Sequence, residues 1–178
     1  MSTTQYLFAG FGGQGILFAG KFAAYKGLIE EKQVSWLPSY GPEMRGGTAS
    51  CGVILSDTPV GSPIVSHPNL LLVMNLPSLD RYEDSVRPGG SIFYDSTLIE
   101  RSVRRADVSA YGVPATRMAQ DAGFPALANM IMLGKMIREA GMVSHDGLED
   151  ALRKVIPAKK ADMLASNLQA IEMGYAYA

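Results

Sequence analysis

Hydrophobic and polar positions in the first third of the chain predict a strand, a glycine turn, a helix and a second strand. The short apolar run Gln5–Ala9 ends at glycine, and Ile16–Glu31 suits a helix with an apolar stripe. Polar and apolar residues alternate again over Gln33–Leu37, just before Pro38. Because a helix joins the two strands, the crossover rule predicts a Rossmann-like βαβ unit with a parallel strand pair.

The middle of the chain predicts further strands of the same sheet. Alternate residues of Thr48–Leu55 share one face, whereas Leu70–Met74 is a continuous apolar run, typical of a strand buried on both faces. A short helix is predicted to start at Pro77. Two more strands are predicted over Ser91–Tyr94 and Val108–Val113.

The last third changes to helical periodicity. Helices are predicted over Ala115–Ala122, Pro125–Ala140 and Asp146–Val155, and the period continues from Leu164 to Tyr175. No repeat or break in composition marks a linker, so the pattern predicts one domain over residues 1–178. The expected fold class is α/β, three-layer, with a mostly parallel sheet and helices concentrated toward the C-terminus.

The composition of the chain predicts a partner protein and argues against binding to nucleic acid or to an anionic membrane. Hydrophobic residues make up 47% of the chain and charged residues 19%, which leaves apolar surface to be covered by another chain. The 16 basic and 17 acidic residues are well mixed, so neither nucleic acid nor an anionic membrane is expected as a partner. The start lacks a signal-peptide pattern and no segment approaches 18 apolar residues, so a cytoplasmic protein is expected.

The few metal-binding side chains exclude several cofactor sites. The single cysteine, Cys51, excludes an internal disulfide and an iron–sulfur cluster, which needs about four thiolates. Cys51 lies on a predicted strand face, which indicates a small core residue rather than a nucleophile. His67 and His145 lie far apart, without other ligands at a suitable spacing, and are expected to be surface or capping residues. We therefore expect no metal site in this chain.

The glycine turn after the first strand is the first candidate site. Residues 10–15, GFGGQG, fit G-x-G-x-x-G, whose bare backbone amides at a helix start can bind an anion. An NAD site also needs an acid at the end of the second strand, whereas Glu30 and Glu31 fall at the helix end, so NAD is not expected. The alternative is a close helix-to-strand turn without a ligand. Gln14 is expected to contact either a ligand or a facing backbone group.

The segment after the second strand, residues 39–47 or SYGPEMRGG, is the second candidate site. Gly41 favours a turn, and Gly46 and Gly47 allow close approach or positive φ. The segment follows the carboxyl end of a strand, where open α/β sheets hold their ligands. Arg45 offers a planar fork for a carboxylate or phosphate. The alternatives are ordinary surface ion pairs of Glu43 and Arg45 and an RNA-binding RGG segment, which the lack of a basic background argues against.

Together these two motifs resemble the gamma subunit of 2-oxoacid:ferredoxin oxidoreductases. The resemblance rests on Gly-Phe-Gly-Gly-Gln-Gly-Ile, residues 10–16, and on Ser-Tyr-Gly-Pro-Glu-Met-Arg-Gly-Gly-Thr-Ala, residues 39–49. It continues through Asn129–Gly134 and Asn167–Gly174. Members of this family oxidatively decarboxylate a 2-oxoacid with coenzyme A, giving acyl-CoA, CO2 and reduced ferredoxin, and they use thiamine diphosphate, magnesium and iron–sulfur clusters.

The resemblance implies that this chain supplies none of those cofactors and no catalytic residue. It has no Gly-Asp-Gly with a downstream Asn of the kind that anchors thiamine diphosphate through magnesium. The implied partners are an alpha subunit, a thiamine-binding beta subunit, often a ferredoxin-like delta subunit, and ferredoxin. Coenzyme A is the implied co-substrate, and the gamma domain is expected near its entry to the active site. The predicted face toward coenzyme A or partner subunits consists of Gly12, Gly13, Gln14, Gly15, Ser39, Tyr40, Gly41, Glu43, Arg45, Gly46 and Gly47.

The form of the loop also bears on the substrate. Its sequence EMRGG, residues 43–47, is more similar to the gamma subunits of 2-oxoglutarate or branched-chain 2-oxoacid enzymes than to those of pyruvate enzymes. We expect 2-oxoglutarate, with branched-chain 2-oxoacids, pyruvate and indolepyruvate as alternatives. A hypothesis of another class is a free-standing nucleotide-binding regulatory module that uses the glycine turn.

Overall fold

The structure of the chain is a computed structural model that describes residues 2–39 and 47–178. Within these residues the strands are β1 (Thr3–Phe11), β2 (Gln33–Ser39), β3 (Thr48–Ser56), β4 (Leu70–Val73), β5 (Ser91–Asp95) and β6 (Ser109–Val113). The α-helices are α1 (Ile16–Ile29), α2 (Leu76–Tyr82), α3 (Ala115–Asp121), α4 (Ala128–Ala140), α5 (Leu148–Val155) and α6 (Leu164–Ala176).

The strands form a six-stranded sheet in the order β2-β3-β1-β4-β5-β6 across the described part of the chain. β1, β4, β5 and β6 pair in parallel, whereas β3 is antiparallel to both of its neighbours. The predicted α/β class with a mostly parallel sheet is therefore confirmed. We call the edge at which β1, β4, β5 and β6 end the carboxyl edge of the sheet.

One predicted pairing is wrong. β1, α1 and β2 follow each other as expected and the two strands run in the same direction, but β3 lies between them. The physical reason is burial. From Cys51 to Ser56 every residue of β3 is buried, so β3 needs a central position, whereas no residue of β2 is fully buried, which suits an edge strand.

The sheet separates two apolar clusters and thereby three layers. Side chains such as Phe8 and Phe93 point to the face covered by α1, α3, α4, α5 and α6. Their neighbours Leu7 and Ile92 point to the opposite face, which α2 and the chain around Ile99 cover. This alternation is the period of two expected for strands in the middle of a sheet.

The helix boundaries differ from the predicted ones where the backbone changes conformation. α5 begins at Leu148 rather than Asp146 because Gly147 has a left-handed backbone, with φ of 71°. The predicted helix from Pro125 starts as a short 3₁₀ turn, and α4 follows it from Ala128. The described helices are all too short or too polar to span a bilayer.

Helices α4 and α6 touch backbone to backbone at two glycines. A Cβ atom built on Gly134 would lie 2.0 Å from the carbonyl oxygen of Ile171, and one built on Gly174 would lie 1.8 Å from that of Ile131. Backbone atoms cannot move aside as the end of a side chain can. The close packing of the two helices therefore depends on both glycines.

The end of α1 contains a strained residue. The N–H of Glu31 donates to the carbonyl of Leu28, and the N–H of Lys32 donates to that of Gly27, both at 3.0 Å. This is the C-terminal motif in which glycine is usual, yet Glu31 occupies the left-handed position with φ of 59°. An L-residue in this conformation costs about 1–2 kcal/mol.

Replacement Gly174→Ala is expected to lower the free energy of unfolding by about 2–3 kcal/mol, because the new methyl group overlaps a helix backbone. Urea unfolding followed by circular dichroism measures the change. Gly61→Ala is the matched control, since a Cβ there meets no atom within 4 Å. Equal stability of the two variants would contradict the close helix contact.

Replacement Glu31→Gly is expected to raise the free energy of unfolding by up to about 1 kcal/mol, because glycine adopts positive φ without strain. The same denaturation experiment measures it. Glu31→Ala also removes the carboxylate but keeps the strain, so it should give no such gain. A similar gain in both variants would assign the effect to charge instead of backbone conformation.

Candidate functional site

The two candidate segments meet at the carboxyl edge of the sheet. The N–H of Gly12 donates to the carbonyl of Gly47 at 3.3 Å, and Phe11 pairs with Thr48 at the start of β3. Ser39 ends β2 at the same edge, where it pairs with Ser50 of β3. The described members of the predicted face therefore lie together. The predicted residues Tyr40, Gly41, Glu43, Arg45 and Gly46 lie outside the described residues.

Two glycines of the glycine turn are required by its backbone conformation. Gly13 and Gly15 have φ of 91° and 73°, a region that L-residues rarely adopt. A Cβ on Gly15 would also lie 2.3 Å from Nδ2 of Asn129, which donates to the Gly15 carbonyl at 3.0 Å. These contacts bring the start of α4 against the turn. Backbone conformation and packing therefore explain these two glycines without a ligand.

Gln14 fixes the turn to the neighbouring strand. Its Oε1 accepts from the N–H of Phe11 at 2.7 Å, and its Nε2 donates to the carbonyl of Met74 at 3.1 Å. Gln14 was expected to contact either a ligand or a facing backbone group, and the structure shows contacts to two backbone groups. Gln14 thereby holds the end of β1 next to the end of β4.

The start of α1 has main-chain donors without a side-chain partner among the described residues. No side chain of the described residues caps this helix, and its first turn contains no acidic residue. Gly12 and Gly13 are exposed, so the turn is open to a neighbouring molecule. An exposed helix start of this kind can accept an anion.

The acidic residue Glu30, near the end of α1, does not take part in the glycine turn. Lys26 and Ser144 hold Glu30, whose carboxylate accepts from Ser144 N at 2.7 Å and Oγ at 2.8 Å. Burial would raise the pKa of Glu30, but hydrogen bonds from Lys26 and Ser144 lower it below its usual value. α1 has 14 residues and spans about 20 Å, so Glu30 is far from the glycine turn.

Cys51 is a core residue, as predicted. Its side chain is 1% exposed, and its Sγ lies 3.6 Å from the carbonyl oxygen of Ile16. Burial raises the pKa of the Cys51 thiol to about 12, which leaves it protonated at neutral pH. The two histidines make separate contacts. His145 lies 2.9 Å from Glu172, and His67 lies 3.3 Å from the carbonyl of Ser85.

A cavity of about 410 Å³ opens beside Gly15, between α1 and the start of α4. The hydrophobic pattern of the sequence does not predict this cavity. Two lysines, Lys21 and Lys160, and two buried asparagines, Asn129 and Asn167, line it together with apolar side chains. The only signal in the sequence is the pair of asparagines at positions that the helical period predicts to be apolar. We call this space the α1–α4 cavity.

A second cavity, of about 400 Å³, lies on the opposite face of the sheet. Leu37 of the edge strand, Gly52 of β3 and Ile64 line it, with Tyr82 and several serines. It contains no charged side chain among its described lining. The α1–α4 cavity combines charge, buried polar groups and continuity with the glycine turn, so it is the stronger candidate for a ligand.

Comparison with known proteins agrees with these features. The sequence matches the family described as pyruvate ferredoxin/flavodoxin oxidoreductase over residues 5–177. Ketoisovalerate oxidoreductase subunit VorA of Methanothermobacter thermautotrophicus is 43% identical over 96% of this chain and 35% of that protein. The chain thus spans about a third of that relative. The 2-oxoglutarate synthase subunit KorC of Methanocaldococcus jannaschii is 34% identical over 94% of this chain and 89% of that protein.

Two solved structures share the fold. The gamma subunit of a keto/oxoacid ferredoxin oxidoreductase from Geobacter sulfurreducens superimposes with a TM-score of 0.82 and 29% identity, covering 97% of this chain and 96% of that chain. A 2-oxoglutarate:ferredoxin oxidoreductase from Magnetococcus marinus superimposes with a TM-score of 0.87 and 24% sequence identity, covering 99% of this chain and 31% of that chain. At this identity the match shows a shared fold and nothing further. The chain belongs to the pyruvate ferredoxin/flavodoxin oxidoreductase family.

Proposed function

We propose that the chain is the gamma subunit of a multi-subunit 2-oxoacid:ferredoxin oxidoreductase. The observation that carries this proposal is the match to the Geobacter gamma subunit, which extends over nearly the whole of both chains. The complex would convert a 2-oxoacid and coenzyme A to acyl-CoA and CO2 and pass the electrons to ferredoxin. Alpha and beta subunits, and in some complexes a delta subunit, would complete it.

The cofactors of that reaction belong to the partner chains in this proposal. One cysteine cannot hold an iron–sulfur cluster. Thiamine diphosphate would supply the decarboxylation chemistry and the clusters would carry electrons. Gly13 and the open start of α1 would contribute main-chain N–H groups, which bind and orient an anionic group without reacting with it.

Exposed apolar side chains at the carboxyl edge support a partner-facing role. Phe11 ends β1, whereas Leu76 and Leu98 follow the ends of the neighbouring parallel strands β4 and β5. Their side chains are 37%, 40% and 44% exposed, respectively. Apolar side chains grouped on a surface favour burial against another protein. The predicted face of glycines and loop residues occupies the same edge, so we assign this edge to contact with the catalytic subunits.

Two 2-oxoacids are candidates for the substrate of the complex. The form of the loop around Glu43 and Arg45 predicts 2-oxoglutarate, and relatives named for that substrate are 31–34% identical. The 43% identity to a ketoisovalerate oxidoreductase subunit favours a branched-chain 2-oxoacid as the second candidate. Substrate contacts are expected mainly from the alpha and beta subunits.

Purification of the tagged chain from its native host is expected to bring down a thiamine-binding polypeptide and an iron–sulfur polypeptide. Mass spectrometry identifies the chains. Viologen reduction by the complex should require coenzyme A and either 2-oxoglutarate or 3-methyl-2-oxobutanoate, and the ratio of the two rates identifies the substrate. The chain produced alone serves as the control and should be inactive. A stable lone monomer that tightly binds an adenine nucleotide would instead favour the regulatory module.

Replacement Arg45→Ala in the assembled complex is expected to raise the KM for coenzyme A about tenfold, or to release the subunit, because one charge-assisted contact is lost. Steady-state kinetics and size-exclusion chromatography measure the two effects. Arg153→Ala is the matched control, since Arg153 is exposed and forms an ion pair with the exposed Glu149 at 2.5 Å. If both variants behave as the unmodified complex, Arg45 has no role in this face.

A further inference from the structure

The register of the sheet shows which backbone groups of the edge strand β2 point away from β3. The N–H of Gly12 donates to the carbonyl of Gly47, and this register continues along β1 and β3. Bonded pairs alternate along an antiparallel ladder, so the odd-numbered residues of β3 bond to β1 and the even-numbered ones bond to β2. The β2 partners of the even-numbered residues are Gln33, Ser35, Leu37 and Ser39. The backbone groups of Val34, Trp36 and Pro38 therefore point outward.

This outward side of β2 is short and ends in the same way in both directions. Val34 and Trp36 each present one N–H and one C=O group. Pro38 has no N–H. Lys32, equally far from Ser35 in the other direction, already donates its N–H to a carbonyl of α1 at 3.0 Å. No strand of the described residues pairs with this side of β2, so its available donors belong to two residues placed symmetrically about Ser35.

Exposed apolar side chains lie on both faces of the sheet at this edge. Trp36 lies on the α1 face, since a Cβ built on Gly20 would be 3.4 Å from its Nε1, and it is 37% exposed. Leu37 and Ile64 line the second cavity on the opposite face and are 43% and 64% exposed. Charged side chains commonly protect an edge strand from pairing, whereas Gln33–Ser39 contains none.

We propose that two copies of this chain pair through β2, antiparallel and across a two-fold axis at Ser35. In this register Val34 of one copy faces Trp36 of the other, so every N–H and C=O group of both residues is paired. Lys32 faces Pro38, which places the two residues without an available donor opposite each other. The two sheets become one continuous sheet. The proposal goes beyond the proposed function and does not rest on it.

The neighbouring registers leave acceptors unpaired. An axis at Trp36 would place Val34 opposite Pro38, which has no N–H to donate to the Val34 carbonyl. An axis at Val34 would place Trp36 opposite Lys32, whose N–H is already bonded to α1. The distribution of donors along β2 therefore selects the axis at Ser35.

The side chains that this axis brings together are compatible. Trp36 of one copy lies beside Val34 of the other, an aromatic and β-branched pair that favours strand pairing. Gln33 faces Leu37, and no like charges within the strand meet because Gln33–Ser39 is uncharged. A two-fold contact also closes on itself and leaves no β2 edge for a third copy. A second copy therefore fits the hydrogen-bonding groups, the side chains and the symmetry of this edge.

The test is disulfide cross-linking of the full chain. Ser35→Cys places two thiols opposite each other, at a pair whose Cβ atoms lie about 4.5–5.5 Å apart. Mild oxidation is expected to convert most of this variant to a covalent dimer, measured by non-reducing electrophoresis. Cys51 is buried and does not contribute. Ser109→Cys is the matched control, since Ser109 is exposed on the other edge strand, β6, and should give no covalent dimer.

Further variants test the register and the strength of the contact. Gln33→Cys and Leu37→Cys should give no covalent dimer separately, but a mixture of the two should cross-link because Gln33 faces Leu37. Ser35→Lys places two positive charges at the axis and is expected to weaken dimerisation about tenfold, measured by sedimentation velocity. Ser109→Lys is its control. Thermal melting verifies that every variant is folded.

Three results would overturn the proposal: a full chain that sediments as a monomer at every concentration, equal cross-linking of Ser35→Cys and Ser109→Cys, or unchanged dimerisation of Ser35→Lys. The complex purified from the native host tests a different occupant. Slow hydrogen exchange at Val34 and Trp36 without cross-linking of Ser35→Cys would show that a partner polypeptide covers the edge, which also overturns pairing of two copies. Co-purification of partner chains with a monomeric chain would leave the gamma-subunit assignment intact, so the two failures are distinguishable.

Discussion

The antiparallel position of β3 between β1 and β2 is the constraint on which the candidate site depends. β3 starts opposite Phe11, at the end of β1, so the chain that connects β2 to β3 must begin and finish at the carboxyl edge. Its described ends, Ser39 and Gly47, are therefore next to the glycine turn. Burial of β3 on both faces holds this arrangement, because a position at the edge of the sheet would expose its apolar side chains.

The helices beside the candidate site pack closely because glycines let their backbones approach neighbouring groups. Gly15 admits the amide of Asn129, and Gly134 and Gly174 let α4 and α6 meet without intervening side chains. Interiors packed this closely change little in shape. The α1–α4 cavity thus has walls of fixed position.

Local patterns in the sequence predict the positions of helices and strands well, but they predict the order of strands in the sheet less well. The apolar run at Leu70–Met74 and the turn signals around it indicated a buried strand, which β4 is. Strand order depends on pairs far apart in the chain, and the period of two in β3 is the same whichever neighbour it pairs with. The glycine turn was recognisable because its motif is local. The α1–α4 cavity was not, since its lining comes from segments between Gly15 and Asn167 that only the fold brings together.

The polar groups of the described carboxyl edge are mostly occupied by the fold itself. Asp95 is fully buried and accepts from Thr97 N at 3.0 Å and from the side chain and backbone of Thr116. Asn75 accepts from Ser78 N at 2.8 Å, and Gln14 uses both ends of its amide on backbone groups. Side chains engaged in this way hold strands and helix starts, and they are poorly placed to transfer protons to a substrate. What the described edge offers to another molecule is main-chain N–H groups, apolar surface and, in the adjoining cavity, two ammonium groups. Main-chain N–H groups and ammonium groups bind and orient without reacting, which agrees with the proposed gamma-subunit role.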